Sequence, residues 1–174
     1  MYDQAYVDFL AHFHGTRDYF ECHEILEDRW KEDTPLDRQA TWVGLIQIAV
    51  AMYHYRRENV IGAYRTGQKA YDILSERKEE LSSYGLEEHS LFSFLNELLY
   101  RIQNRVPYQS MELPIEDSSL LEAVKVRCEE LGCTYGAPSP LEDPTIIHRH
   151  TTRDRSEVIE EREKQLEIRK QNRI

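Results

Sequence analysis

The chain has 174 residues, of which 40% are apolar and 31% charged, with only seven glycines and six prolines. This length and composition suit one folded domain with an appendage, and the scarcity of Gly and Pro favours an all-α fold. Residues 1–148 carry a net charge of −12 and residues 149–174 carry +2, so the body of the protein should repel nucleic-acid backbones and we expect no nucleic-acid partner.

The sequence also predicts a cytoplasmic protein with no membrane partner. Its first residues lack the basic start and apolar stretch of a signal peptide. The longest apolar segment, residues 42–53, contains Gln47 and is too short to cross a bilayer. The cysteines, Cys22, Cys128 and Cys133, have neither an even count nor a metal-binding spacing, and we expect small, apolar, free thiols in a reducing compartment.

Two helices are predicted at the start of the chain. The first covers residues 2–13 and ends at Gly15. The second begins after Asp18, which forms a capping-box pattern with Glu21, and it runs to about Lys31. Its apolar face contains Tyr19, Cys22, Ile25, Leu26 and Trp30.

The third helix is predicted to begin directly after the second. Thr34 and Pro35 have the residue types expected at its cap and first position, and it extends to about Glu58. Only about three residues would then connect the two helices, so we expect them to pack antiparallel. Almost every position from 42 to 53 is apolar, which is typical of a core helix.

The remaining periodicity predicts an all-α, compact bundle of about five helices with a less ordered extension. A fourth helix follows Asn59 and ends near Ser82, and a fifth covers residues 88–105. The predicted core contains Trp30, Leu45, Ile46, Ala49, Tyr53, Ala63 and Leu74. The predicted divisions are a helical bundle domain in residues 1–105, a connector with a short helix and a Pro-rich linker in residues 106–151, and an amphipathic tail helix in residues 152–174.

The tail helix has a narrow apolar stripe. Its apolar side chains are Val158, Ile159, Leu166 and Ile168. Such a helix either projects into solvent or lies on a partner, and we expect any homo-oligomer or protein partner to bind through residues 152–174.

The second helix places an ionisable pair on its apolar face. At about 100° per residue, His23 and Glu27 fall between Trp30 and Phe20, and their i, i+4 spacing makes them neighbours. Burying such a pair is costly unless hydrogen bonds or a metal hold it, so the pair marks a candidate site. The acidic residues predicted on the opposite face are Glu21, Glu24 and Asp28.

The third helix offers a narrow row of polar residues. Gln47, His54 and Glu58 lie within about 40° of one another on the helical wheel. Gly44 and Ala51 lie beside them and would leave room for another chain or a ligand. In an antiparallel pair the second helix would meet Gln47 more readily than His54, although helix tilt could close the gap to His54.

Two sequence blocks in this order resemble a known family. The blocks are residues 19–30 (Tyr-Phe-Glu-Cys-His-Glu-Ile-Leu-Glu-Asp-Arg-Trp) and residues 44–49 (Gly-Leu-Ile-Gln-Ile-Ala), followed by His54, Asn59, Gly62 and Ala63. They resemble the small helical bacterial and archaeal proteins of domain of unknown function 309, over about residues 10–82. The resemblance implies a compact helical bundle and no established activity. Residues 148–162 resemble an extension found in YpuF-type members.

The site hypothesis has a metal version and a polar-ligand version. In the first, the cofactor is a divalent metal that binds His23, Glu27 and His54, since imidazole and carboxylate ligate zinc and iron. In the second, a small ligand contacts Gln47, His54, Trp30 and Arg29. His23 and Glu27 are also the candidates for a catalytic acid–base dyad, although whether the protein is an enzyme is open. The segment lacks the second histidine of a zincin motif and the paired Glu-x-x-His of di-iron bundles.

The alternative is a non-enzymatic scaffold for protein–protein contacts, in which the polar cluster only fixes helix register. The small residues Ala51, Ala63 and Ala70 have a spacing partly like that of tetratricopeptide repeats, but only one copy is present. A solvent-connected pocket at the cluster would favour the ligand hypothesis, and a sealed cluster would favour the scaffold. We assign no role to His12 and His14, because their i, i+2 spacing points them apart on a helix.

Overall fold

Nine α-helices make up most of residues 1–152 and 156–171, which are the residues that the computed structural model describes. The helices are α1 (Gln4–Ala11), α2 (Tyr19–Asp33), α3 (Thr41–Arg56), α4 (Val60–Ser75), α5 (Glu88–Gln103), α6 (Ser118–Glu130), α7 (Pro144–Ile147), α8 (Arg149–Thr152) and α9 (Ser156–Gln171). Among these residues the only β-structure is an isolated bridge between Leu86 and Ile115. The all-α prediction is confirmed.

The predicted start of the third helix was wrong. Residues 34–40 form turns, and α3 begins only at Thr41. The reason is a set of tertiary hydrogen bonds: the Trp30 indole donates to the Asp37 carbonyl at 2.9 Å, while the Thr34 amide caps α2 by donating to the Trp30 carbonyl at 2.8 Å. The Asp37 carbonyl is one of the acceptors that an earlier start of α3 would have used, and the Trp30 indole occupies it.

Two other predicted helix ends were also wrong. Gly15 does not stop the first helix, since a π-helical turn (His12–Thr16) continues α1. A Cβ atom on Gly15 would lie 2.5 Å from the Cys133 sulfur, so glycine is needed there for close packing. The fourth helix ends at Ser75, and 3₁₀ turns (Lys78–Tyr84) follow it. Glu80 in these turns accepts a hydrogen bond from the Thr41 hydroxyl.

The central helix, α3, lies between α2 and α4. Phe20 near the start of α2 packs against Tyr53 near the end of α3, with ring centroids 6.0 Å apart. Because the far end of α2 contacts the turn that precedes α3, the two helices run antiparallel. On the opposite side, α4 fills the room predicted beside Gly44, where a Cβ atom would lie 2.6 Å from the Leu74 side chain.

The predicted core is confirmed for six of its seven residues. The buried six are Leu45, Ile46, Ala49, Tyr53, Ala63 and Leu74. Trp30 is only partly buried and packs against the edge of the core. The same apolar cluster also contains Leu113, Leu120 and Val124, because α6 packs against α1. The division of the chain at residue 105 stays a prediction.

A buried arginine joins the amino-terminal helices to the segments after α5. The chain reverses at Arg17, whose φ is 59°. Its fully buried guanidinium donates to the carbonyls of Phe13, Met111 and Ala137 at 2.8–3.0 Å and to Glu112 at 3.1 Å. These bonds use four of the five N–H donors of a guanidinium, so Arg17 fixes the position from which α2 begins.

His14 makes a second buried connection, and it has a structural role that the sequence analysis missed. Its Nδ1 lies 2.8 Å from the Leu10 carbonyl, and its Nε2 accepts the Leu113 amide at 3.0 Å. Because a carbonyl only accepts, Nδ1 carries the proton and the ring is neutral. Burial is the main cause that lowers the pKa of His14 to about 4.

The tail helix α9 has exposed side chains at every described position from 159 to 171. Ile159, Leu166 and Ile168 are each about half exposed. A contact with a partner through residues 152–174 stays a prediction, and residues 153–155 and 172–174 lie outside the described part. Within the described residues, no helix is both long and apolar enough to cross a bilayer.

We expect Leu45→Ala to lower the free energy of unfolding by about 2–5 kcal/mol, because Leu45 is fully buried and its truncation leaves a cavity in the core. The matched control is Leu36→Ala, at a position that is 94% exposed, which should change stability by less than about 0.5 kcal/mol. Urea denaturation of the three proteins measures both effects. Equal midpoints for Leu45→Ala and wild type would contradict this assignment of the core.

His14 should make the protein less stable in mild acid. Its pKa falls from an ordinary 6.5 in the unfolded chain to about 4 in the fold, so the unfolded state binds the proton first as pH decreases. Stability is therefore complete above about pH 6.5 and is lost down to about pH 4, by roughly 3 kcal/mol. Chemical denaturation at several pH values, compared with His14→Gln, isolates this contribution. Parallel pH profiles for the two proteins would show that His14 does not cause it.

Candidate functional site

A cleft of about 310 Å³ opens to solvent between α2, α3 and α4. Its lining comes from three helices and from the turn before α3. The lining residues are His23, Glu27, Trp30, Arg38, Val43, Ile46, Gln47 and Lys69. We call this cavity the α2–α3–α4 cleft.

The cleft follows from the local sequence of α2 and α3. Asp18 caps α2, its side chain accepting the Glu21 amide at 3.1 Å, and this fixes where the helix begins. The i, i+4 spacing then puts His23 and Glu27 on one face. Antiparallel packing brings Gln47 of α3 to the same cleft, so the question that the sequence left open is answered in favour of Gln47 over His54.

The imidazole of His23 lies between two carboxylates. Its Nδ1 is 3.2 Å from Glu24 Oε1, and its Nε2 is 3.1 Å from Glu27 Oε2. An imidazolium donates to both oxygens, whereas a neutral ring donates to one. The side chains of His23 and Glu27 are 30% and 32% exposed, so both groups remain accessible from solvent. The arrangement can exchange a proton with a bound molecule.

Glu27 has a second partner on its own helix. Its Oε1 accepts from the Lys31 ammonium at 3.0 Å, and this hydrogen bond raises the pKa of Lys31. Both oxygens of Glu27 are therefore engaged, one by His23 and one by Lys31. The negative charge of Glu27 is largely compensated before any ligand binds.

Three other polar side chains in the cleft have no partner. Within residues 1–152 and 156–171, no hydrogen bond or ion pair involves the side chains of Gln47, Arg38 or Lys69. Arg38 and Lys69 are exposed, while Gln47 is half-buried. The Gln47 amide is not buried away from solvent, so water or a ligand can bind it.

His54 lies outside this cleft. It lines a second cavity of about 200 Å³ with Tyr53 and Arg57, and His23 borders both cavities. His54 Nδ1 is 3.2 Å from the Asn59 amide nitrogen. Burial, and secondarily the charge of Arg57, lowers the pKa of His54.

Arg29 also lies outside the cleft, although it was a candidate ligand-binding residue. Its Nε donates to Asp3 at 2.7 Å, and its guanidinium lies over the Trp42 ring. Both contacts are structural, because they join α2 to the start of α1 and to α3. Trp30, the neighbouring candidate, does line the cleft.

The potential metal ligands differ from the predicted set. Donor atoms of His23, Glu24 and Glu27 lie within 4.8 Å of one another, whereas His54 is not part of that group. The carboxylates face opposite nitrogens of one ring, so a metal at Nε2 would bind Glu27 while Glu24 stays at Nδ1. One imidazole and one carboxylate then leave most of the coordination to water.

The sequence missed three residues of the site for identifiable reasons. Glu24 was assigned to the outward face of α2, but its long side chain bends back to the adjacent imidazole. Arg38 belongs to a segment predicted as helix, and Lys69 lies on α4, whose position no local pattern defines. No local sequence pattern connects Arg38 or Lys69 with His23 and Glu27.

Comparison with known proteins shows that the cleft lies mostly within a region shared by one protein family. The family model "Domain of unknown function (DUF309)" matches residues 6–66, which include every cleft-lining residue except Lys69. The chain is also 45% identical over 173 residues to "Uncharacterized protein YpuF" of Bacillus subtilis (strain 168), covering 99% of each chain. The chain belongs to the DUF309 family. The resemblance noted from the two sequence blocks is confirmed.

The match to YpuF extends through the carboxyl-terminal segments, well beyond the DUF309 region. The relative is uncharacterised and the family is one of unknown function, so neither assigns a ligand or a reaction. No solved structure matches the chain. A functional hypothesis must therefore rest on the geometry of the α2–α3–α4 cleft.

Proposed function

We propose that the α2–α3–α4 cleft binds a small polar ligand. The observation that carries this proposal is the convergence of His23, Glu27 and the unpartnered Gln47 on one solvent-open cavity. A polar cluster with a purely structural role would be sealed and would satisfy its own hydrogen bonds. Gln47 instead presents a free amide on a helix that is otherwise almost entirely apolar.

Each residue has a distinct task in this proposal. His23 forms the rim of the cleft, and Glu24 and Glu27 hold the orientation of its ring. Gln47 provides an amide that both donates and accepts, which suits recognition of a polar group. Trp30 and Ile46 form an apolar wall, so the cleft has the mixed polar and apolar lining of small-molecule sites. Its volume of about 310 Å³ lies at the lower end of the range for such sites.

A divalent metal is the second candidate ligand. It is favoured by the close donor atoms of His23, Glu24 and Glu27. A zinc or iron ion would bind His23 Nε2 and Glu27, after displacing the hydrogen bond between them, and water would complete its coordination. The same metal would then offer an attachment point for a polar ligand that also contacts Gln47.

Metal analysis and thermal shift of the purified protein test both versions. We expect wild type to be stabilised by one of zinc, iron, manganese or nickel, or by members of a small polar fragment library that perturb the NMR signal of the Gln47 amide. His23→Ala combined with Glu27→Gln should abolish the response and change stability by no more than about 1 kcal/mol, because the pair is partly exposed.

The matched control is Glu97→Gln combined with Arg101→Ala, an i, i+4 pair on α5 with a 2.7 Å contact. It should leave the response intact. If wild type responds to neither metals nor fragments and the His23/Glu27 variant is strongly destabilised, the cluster is structural. The scaffold hypothesis would then replace this proposal.

A further inference from the structure

We infer that the ligand of the α2–α3–α4 cleft is a small organic anion, with one carboxylate or phosphate group on a short apolar body. This inference rests on the proposed function and adds the chemical class of the ligand. It is carried by the groups in the cleft that lack partners among the described residues, namely the side chains of Arg38, Lys69 and Gln47. All three present N–H donors, and two of them are cations.

The charge balance within the cleft favours an anion. Arg38 and Lys69 contribute two positive charges, while the only carboxylate in the lining, Glu27, already contacts His23 and Lys31. The chain as a whole has a net charge of −10, so basic groups have many possible acidic partners. The arginines that do pair with carboxylates in the described residues are Arg17, Arg29, Arg77, Arg101, Arg127 and Arg149.

The backbone that carries Arg38 is held in place on both sides. Asp37 is fixed by the Trp30 indole through its carbonyl and by Arg77 through its carboxylate at 2.8 Å. The Gln39 carbonyl accepts from Arg77 Nε at 3.1 Å. A guanidinium on an anchored turn is suited to bidentate contact with a carboxylate or phosphate.

The donors approach the cleft from three separate elements. Arg38 comes from the turn before α3, Gln47 from α3 and Lys69 from α4. A single oxyanion group can therefore be contacted from several sides, as in other anion sites built from convergent donors. His23 forms the α2 side of the cleft, with its two ring nitrogens facing Glu24 and Glu27.

The apolar part of the lining indicates the chemistry of the uncharged part of the ligand. Trp30, Val43 and Ile46 form one wall of a cavity of about 310 Å³, which suits a short apolar or aromatic group beside the charged one. A polyanion such as a nucleic acid would instead meet the net charge of −12 on residues 1–148. The cleft therefore fits one small anion.

NMR titration with matched probes tests this inference. Benzoate and phenyl phosphate are the anionic probes, benzamide is the neutral isostere and benzylamine is the cation. We expect the two anions to shift the Gln47 amide signal and the His23 ring signals, with affinities at least about tenfold above those of benzamide and benzylamine. The stronger of the two anions identifies the preferred oxyacid group.

Charge-removing variants provide the second arm. Arg38→Met combined with Lys69→Met keeps an unbranched apolar stem and removes both cations, so we expect roughly a tenfold or greater loss of affinity for the anionic probes. The control is Arg65→Met, which removes an exposed charge one turn before Lys69 and outside the cleft lining. It should change affinity by less than about twofold. Thermal unfolding of each variant checks that the fold is retained.

The possible results test the anion assignment separately from the proposed function of the cleft as a ligand site. Binding of benzamide as tightly as benzoate, with shifts of the same signals, would overturn the anion assignment and leave the cleft as a ligand site. Equal weakening by Arg65→Met and by the double variant would also overturn it, because the effect would then be long-range charge alone. If no probe shifts the cleft signals, the anion inference is wrong, and the metal and fragment tests decide the proposed function.

Discussion

The buried guanidinium of Arg17 is the interaction on which the arrangement of this protein depends. It donates to carbonyls of the π-helical turn, the connector after α5 and the segment near residue 137, and it pairs with Glu112. Arg56 of α3 donates to the carbonyl of Arg17 itself at 2.6 Å. A buried cation is tolerated only when its donors are satisfied, so these segments must assemble together. The chain then reverses at Arg17 and α2 begins at a fixed position.

The fixed start of α2 determines which of its residues, His23 and Glu27 among them, line the cleft. Asp18 caps the helix and also pairs with Arg149 at 2.8 Å, so α2 is held by the segment after α7 as well as by Arg17. In the α2–α3–α4 cleft, the side chains of Gln47, Arg38 and Lys69 have no protein partner among the described residues and face solvent. Polar groups that converge on one solvent-open cavity are available to a ligand, because the ligand has only to displace water.

The candidate site was only partly predictable from the sequence. His23, Glu27 and Gln47 could be found because each interrupts an apolar helical face, and helical periodicity is a local property. His54 was grouped with them because it shares the polar row of α3, but seven residues along α3 separate it from Gln47 and it borders a different cavity. Glu24 escaped detection because the helical wheel describes Cβ directions and ignores the reach of a long side chain.

The sequence by itself determined the all-α fold, the identities of the main helices, the core residues of α3 and the ionisable pair on α2. These depend on periodicity and capping, which act within a few residues along the chain. Only the tertiary structure decided the late start of α3, the early end of α4 and the presence of Arg38 and Lys69 in the cleft. Hydrogen bonds from Trp30 and Arg77 hold the turn before α3 and therefore the position of Arg38. Such long-range bonds override local helix propensity, because a backbone group that is satisfied by a distant side chain gains nothing from continuing a helix.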